Sequence, residues 1–458
     1  MTSIPFFPEV LPSGPALRDD NAAQWLSYAD LAEQVNAWAA KLAQEKSLVF
    51  VYLRNSSACV AAMLGALGAG HAVALLDADL PRASKDALEE LYAPDCILLG
   101  TGGTCEILHK AASDHEIHPD LAVLLSTSGS TGGPKFVRLS LDNMVSNARA
   151  IAQVLDIQPD DVAGGHLQLH YSYGLSVLTS HLVHGASIAL TQRSFMDRAF
   201  WPFMRDAKIS HFPGVPFHYD MMRRLGFARL GLENLRTLTQ AGGHMVQDVR
   251  ALAHAYMQEK GGQFCVMYGQ TEAAPRITTL SHVDFTDHPE TVGPALPGGV
   301  LKICDEDGTE LPQGTEGLVW YNGPNVMMGY AQSRFDLALG DVQGSTLATG
   351  DIGRLDAGGR LTITGRAKRF GKIYGLRVNL DEIEALIRTH WSDAAVVQKG
   401  DMVRVYLAPE ATAETIARLK AHLSDRFTLP ATSYKFLAVE QIPHTDRGKP
   451  DYRTLEGL

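Results

Sequence analysis

The chain has 458 residues, 45 % of them apolar and 20 % charged, a globular make-up rather than a disordered one. At roughly 150 residues per domain the length implies two or three domains. Its 51 acidic and 40 basic residues leave a net charge of −11, which argues against a nucleic-acid protein; a small anionic ligand could still be held by backbone amides and a few local cations.

The apolar spacing over residues 28–43 predicts an amphipathic helix, and LVFVYL at 48–53 a buried strand. The apolar run from Ala58 to Leu76 has the length of a membrane span, but Gly65, Gly68 and Gly70 divide it. It reads as a helix, a glycine turn and a strand, with no integral membrane span expected. Strand and helix go on alternating through LAVLLS at 121–126, VLTSHLVHGASIAL, FPGVPFHYDMMRRL and FCVMYG at 264–269. This is the pattern of an α/β domain with mixed, largely parallel sheets. From about residue 286 to 366, short strands between turn residues predict a β-rich subdomain. The pattern shifts again near 366, to a helix at LDEIEALIRTHW, strands AAVVQKG and MVRVYLA, and a helix at 413–426. The expected organisation is a large N-terminal domain over 1–366 and a small α+β C-terminal domain over 367–458. No signal segment is visible in residues 1–20, and Cys59, Cys96, Cys105, Cys265 and Cys304 are scattered without CxxC spacing. A reduced, cytoplasmic setting is expected.

The segment from Ser126 to Lys135, STSGSTGGPK, follows a strand directly. Its glycines let successive N–H groups point into one concavity, its hydroxyls add uncharged donors, and Lys135 adds a cation. That composition suits a polyphosphate. It is not a Walker loop, because Pro134 and Phe136 flank the lysine. A P-loop ATPase or kinase is thereby excluded. The pairs His115/His118 and His166/His170 have no third metal ligand nearby in sequence.

The STSGSTGGPK segment resembles the phosphate loop of the adenylate-forming superfamily, which includes acyl-CoA synthetases, aryl-CoA ligases and peptide-synthetase adenylation domains. Further segments resemble that family in the same order. They are Tyr268-Gly-Gln-Thr-Glu272, Ala348-Thr-Gly-Asp351, Ile363-Thr-Gly-Arg366 with Ala367-Lys368, Gly375-Leu-Arg-Val-Asn-Leu-Asp-Glu-Ile-Glu384, and Pro443-His-Thr-Asp-Arg-Gly-Lys449. The resemblance implies that a carboxylic acid is joined to the α-phosphate of ATP, that pyrophosphate leaves, and that the acyl group passes to a thiol.

It also implies roles. Lys449 would be the catalytic cation between carboxylate and α-phosphate, Thr271 an α-phosphate contact and Glu272 the Mg²⁺ carboxylate. Thr127, Ser128, Gly129, Ser130, Thr131, Gly132 and Lys135 would hold phosphates. Gly242, Gly243, Tyr268, Gly269 and Gln270 would hold adenine. Asp351 and Arg366 would hold ribose, and Lys368 would be the hinge of a mobile C-terminal domain. His170, Tyr171, Tyr173, Gly174 and Gly243 would line the acid site, with Tyr171 and Tyr173 either a wall of the tunnel or core aromatics. Residues 168–176 contain no acid to hold a substrate ammonium, so an α-amino acid is disfavoured. The expected partners are a small carboxylic acid, ATP, Mg²⁺ and CoA. The alternative acceptor is the phosphopantetheine arm of an acyl or peptidyl carrier protein. A non-catalytic nucleotide-binding homologue is a weaker alternative, since the motif charges are retained.

Two departures stand out. Phe136 replaces the usual glycine and is expected to alter substrate shape. Arg369 and Lys372 enrich the hinge in cations that would meet CoA phosphates or an acidic carrier.

Overall fold

A computed structural model describes residues 4–42, 45–101, 103–110, 115–126, 135–373, 376–400, 402–409, 411–427, 429–444 and 450–458. By packing, the chain forms two units, residues 1–301 with 321–347, and residues 302–320 with 348–458.

The first unit holds two α/β sheets. Among the described residues, one has seven strands in the spatial order Gly329–Ala331, Phe136–Ser140, Leu121–Ser126, Ala72–Asp77, Leu48–Leu53, Cys96–Thr101 and Thr104–His109. Its central pairings, 48–53 with 72–77, 48–53 with 96–101 and 72–77 with 121–126, are parallel. The other has eight strands, with Arg276–Leu280, Gln263–Gly269, Thr237–Gln240, His211–Gly214, Val162–Gly165 and Ser187–Leu190 followed by Pro15–Asp19 and Leu26–Ser27. Five of its seven pairings are parallel, and the antiparallel ones lie at its edges. Strands with both faces covered are near-continuous apolar runs, as LVFVYL and AVALL are, and each of those residues is buried.

The helix Tyr28–Lys41 begins at a capping box of Ser27 and Asp30. The run from Ala58 to Leu76 divides as expected, into the helix Ser57–Gly68 and the strand Ala72–Asp77. Among the described residues no helix is long and apolar enough to cross a membrane.

The second unit contains most of a four-stranded sheet ordered Val300–Cys304, Gly317–Asn322, Thr346–Leu355, Leu361–Arg366. It also contains the hairpin Phe370–Ile373/Leu376–Asn379 and a three-stranded sheet of Ala394–Lys399, Met402–Leu407 and Tyr434–Ala438. The helices Leu380–Arg388 and Ala413–Arg426 contribute Ile383, Ile387, Leu419 and Leu423 to a core with Val396, Val403 and Val405. The first helix ends three residues earlier than LDEIEALIRTHW predicts. Arg388 donates to the carbonyl of Ala394, and the chain turns there into the next strand.

Candidate active site

In the first unit, the strands Leu121–Ser126 and Phe136–Ser140 pair antiparallel and bring Ser126 opposite Phe136. Lys135 stands at the head of the second strand. Thr127, Ser128, Gly129, Ser130, Thr131 and Gly132 lie outside the described residues, as does Lys449 in the second unit.

Lys135 Nζ sits 3.9 Å from the ring centroid of Tyr330, a cation–π contact. Tyr330 is held there because its strand, Gly329–Ala331, pairs with Phe136–Ser140. Its hydroxyl donates to Glu272 Oε1 at 2.8 Å. Burial, and then the Glu272 charge, push the Tyr330 pKa up, so the phenol keeps its proton and remains a donor. A cation, a phenol and a carboxylate from three distant segments thus form one line. Nothing local in the sequence marks Tyr330, and sequence reasoning missed it.

Glu272 rides on a tight turn. Thr271–Ala273 form one 3-10 turn, Ala274 has φ +58°, and Gln270 N–H donates to the carbonyl of Pro275. A Cβ on Gly269 would lie 2.0 Å from that same Pro275 oxygen, so only glycine fits. Asn325 donates to the carbonyls of Ala273 and Arg276, and Asn147 bonds both backbone groups of Arg276. These buried amides lock the turn and also went unread in the sequence. Thr271 Oγ1 meets Ser172 Oγ at 3.2 Å, tying the turn to the start of the helix Ser172–Leu182.

Tyr268 is half-buried at the end of the strand Gln263–Gly269. Gly242 adopts φ +84°, and a Cβ there would stand 3.0 Å from the Tyr171 hydroxyl. The carbonyl of Gly243 accepts from Gln240 at 2.8 Å. Gly242 and Tyr171 are thus neighbours.

The 166–174 segment is anchored by Asn55, which is buried. Its amide donates to the carbonyls of Gly165, Leu167 and Thr191, and its oxygen accepts from Leu169 N–H. Gly174 faces the carbonyls of this loop, and a Cβ on it would come within 2.3 Å of the Gln168 oxygen. His170 Nε2 lies 4.0 Å from Asp77 Oδ2. An acid therefore reaches this segment from elsewhere in the chain, which the local sequence does not reveal. Tyr173 is buried, and its hydroxyl bonds Thr239 O and Oγ1 at 3.1 and 3.0 Å. His166 stacks on Phe212 at 4.6 Å and meets His218 edge-on. Burial holds both rings neutral, with the His218 pKa pulled down to about 4. Phe136, expected to alter substrate shape, turns instead into the core. It packs on Tyr92 at 4.8 Å, because the strand's alternation points it away from Val137's side.

In the second unit, Asp351 and Arg366 are opposite each other in a β ladder. Arg366 Nε is 3.0 Å from the buried Asp351 carboxylate, and the Arg366 side chain is largely exposed. Arg369 does not offer its charge to an acceptor as expected. It donates to Asp381, to Glu384 and to the carbonyl of Val396, and its guanidinium lies 3.8 Å from the ring centroid of Tyr452. Those partners raise its pKa despite burial. The side chains of Lys368 and Lys372 lie outside the described residues.

Among the described residues no cluster of three or more His, Cys, Asp or Glu could hold a metal ion alone. The donor set that fits Mg²⁺ is the single carboxylate of Glu272, since this ion takes one or two carboxylates and fills its shell with phosphate oxygens and water.

A family model described as AMP-binding enzyme matches residues 8–331. An L-proline--[L-prolyl-carrier protein] ligase of Pseudomonas fluorescens is 29 % identical over 347 residues, covering 72 % of this chain and 67 % of that protein. Phenyloxazoline synthase MbtB of Mycobacterium tuberculosis is 26 % identical over 94 % of this chain, which spans only 33 % of its length. Among solved structures, o-succinylbenzoate CoA synthetase (MenE) of Bacillus subtilis with its acyl-adenylate superposes with a TM-score of 0.79 at 21 % identity, covering 96 % of this chain and 95 % of that one.

Proposed function

The chain belongs to the AMP-binding enzyme family, and from that premise we propose that it is an ATP-dependent acid–thiol ligase. A carboxylate oxygen attacks the α-phosphorus of ATP, the bond to pyrophosphate breaks, and an acyl-AMP forms. A thiol sulfur then attacks the acyl carbon and AMP leaves. The first step brings two anions together, so it needs placed cations and dipoles.

The observation that carries this reading is the Lys135–Tyr330–Glu272 line. Lys135 closes a loop suited to polyphosphate, and Tyr330 orients the carboxylate that would hold Mg²⁺; the ion when bound neutralises phosphate charge. Thr271, fixed by Ser172, would contact the α-phosphate. Asp351, oriented by Arg366, offers paired acceptors to the ribose diol. Lys449 would bridge carboxylate and phosphate as a compact point charge.

CoA is the first acceptor in this reading, and a carrier protein's phosphopantetheine arm is the alternative. The carrier-protein ligase of P. fluorescens favours the alternative, and the likeness to a CoA synthetase lies in the fold. We place the hinge of domain alternation at Lys368, so Lys368→Pro should slow thioester formation far more than adenylation.

Acid-dependent ATP–pyrophosphate exchange tests the first half. A panel of fatty acids, benzoates, cinnamates, dicarboxylates and amino acids should yield one class that supports exchange, abolished by Lys449→Ala. Free CoA added with that acid should then give a thioester; turnover only with a loaded carrier would select the alternative. ATP binding with no exchange for any acid would refute the ligase reading.

A further inference from the structure

Cys59 lies in the first turn of the helix Ser57–Gly68, and Cys105 in the strand Thr104–His109 at the edge of the seven-stranded sheet. They are distant in sequence, and register brings them together. Cys105 is the ladder partner of Gly100 in the neighbouring strand. A Cβ on Gly100 would stand 2.5 Å from Cys59 Sγ, so the Cys59 sulfur occupies the space that the missing side chain leaves. Ladder partners carry their Cβ positions about 4.5–5.5 Å apart on one face of the sheet. That face is the core side here, where Cys105 packs against the cluster that contains Cys59. A thiol at 105 therefore reaches the sulfur that rests on Gly100.

The surroundings of Cys59 suit a thiolate. The Cys105 S–H donates to its sulfur, and so do the Ser56 hydroxyl and the Arg54 N–H. The first turn of a helix adds partial positive charge. The Cys105 hydrogen bond, ahead of the others, holds the Cys59 pKa below the ordinary thiol range despite burial, and Cys105, the donor, is pushed up. One proton held between two sulfurs leaves a charge that belongs to the pair.

The other cysteines lack such a setting. Burial pushes Cys96 up to about 11 and Cys265 up to about 12. Cys96 precedes Gly100 by four residues on the same strand, about 13 Å away and out of bonding reach. Exposure divides the roles within the pair. Cys59 is 1 % exposed, whereas Cys105 is partly exposed on the edge strand.

We propose that Cys59 and Cys105 are a dithiol modification site that hydrogen peroxide closes reversibly to a disulfide. The Cys105 sulfur, carrying the pair's charge, attacks one peroxide oxygen. The O–O bond breaks, Cys105 becomes a sulfenic acid, and the departing hydroxide takes the Cys59 proton to form water. The Cys59 thiolate then attacks the Cys105 sulfur, the S–O bond breaks, and the second hydroxide leaves and takes a proton from solvent. Each sulfur gives up one electron and the two oxygens gain them. The new bond ties the first turn of the helix that follows Asn55 to the edge of the sheet.

The reduced full chain, given peroxide under native conditions, should become about 2 Da lighter and yield one cross-linked peptide pair, Cys59 with Cys105, that dithiothreitol reverses. Closure should outpace oxidation of Cys96, Cys265 and Cys304 by at least about tenfold. In urea that preference should vanish, because register alone brings the pair together. Cys59→Ser should remove the cross-link and leave a sulfenic acid on Cys105 that dimedone traps. Cys105→Ser should leave the buried Cys59 unmodified. Either variant could loosen the packing, so the wild-type peptide map stands as a separate readout. Oxidation of Cys105 alone to the sulfinic acid would overturn the proposal. So would a cross-link to Cys96 or to a second copy of the chain, a preference that survives in urea, or failure of both thiols to react.

Discussion

Glu384 sits in the second unit, 5 % exposed, with four donors converging on its carboxylate. Val396 N–H and Arg369 reach Oε2, both at 2.9 Å, and Tyr452 O–H at 2.8 Å and Arg388 at 3.1 Å reach Oε1. Glu384→Gln keeps the shape and removes the charge. One side of the new amide becomes a donor facing donors, and Arg369 loses part of its compensation while staying buried. Breaking one side of a buried ion pair costs about 3–5 kcal/mol. Asp381 still holds Arg369, so the lower end, about 3 kcal/mol, applies here. At roughly 1.4 kcal/mol per tenfold, that is about a hundredfold in an opening equilibrium. Amide hydrogen exchange reads it locally. Protection should fall about a hundredfold in the strand Ala394–Lys399 and the helix Leu380–Arg388, and stay unchanged in the strand Leu48–Leu53. A fall of less than threefold in the second unit would refute the hub. It would also revive Arg369 as a cation available to an acceptor.

Tyr330→Phe removes one hydrogen bond to a carboxylate, worth about 1.5–3 kcal/mol, so adenylation should slow about 10- to 100-fold with a higher Mg²⁺ requirement; an unchanged rate would separate Tyr330 from the chemistry. Stability should fall on acidification below about pH 6.5. His181 and His218 are held neutral when folded, down to about pH 3 and 4, while the unfolded chain protonates them near 6.5. Protons thus favour the unfolded state as pH drops through that window, with a slope of up to about 1.4 kcal/mol per pH unit for each histidine. Urea titrations at pH 7, 6 and 5 should show the decline, and His218→Gln should flatten it; stability constant from pH 7 to 5 would contradict the burial argument.

Much of the fold was legible because its signals are local. The glycine break after residue 68, the apolar strands at 48–53 and 121–126, and the helix at 413–426 all appear where spacing and turn residues place them. The motif turn at 268–272 was legible as a motif, and its geometry explains Gly269. What stayed hidden depends on partners far away in the chain. Tyr330, Asn55, Asn147 and Asn325 act through side chains that touch residues from about 50 to nearly 140 positions distant. The misreading of Arg369 has the same source. A cation in a charged stretch looks solvated until its acids, Asp381 and Glu384, fold onto it.

Asn55 has a consequence for engineering. It lies in the loop after one sheet's strand and grips the backbone that leaves the other sheet, with three carbonyls on its amide nitrogen and one N–H on its oxygen. Aspartate would set charge against carbonyls, and leucine would leave all four groups unmet. The grip reads backbone alone, so it is indifferent to which side chains occupy 166–173. That stretch is therefore a cassette with fixed ends, Gly165 at one and Gly174 at the other. Segments grafted between them from other ligases should be tolerated where Asn55, the two glycines and the buried contacts of His166, Ser172 and Tyr173 are kept.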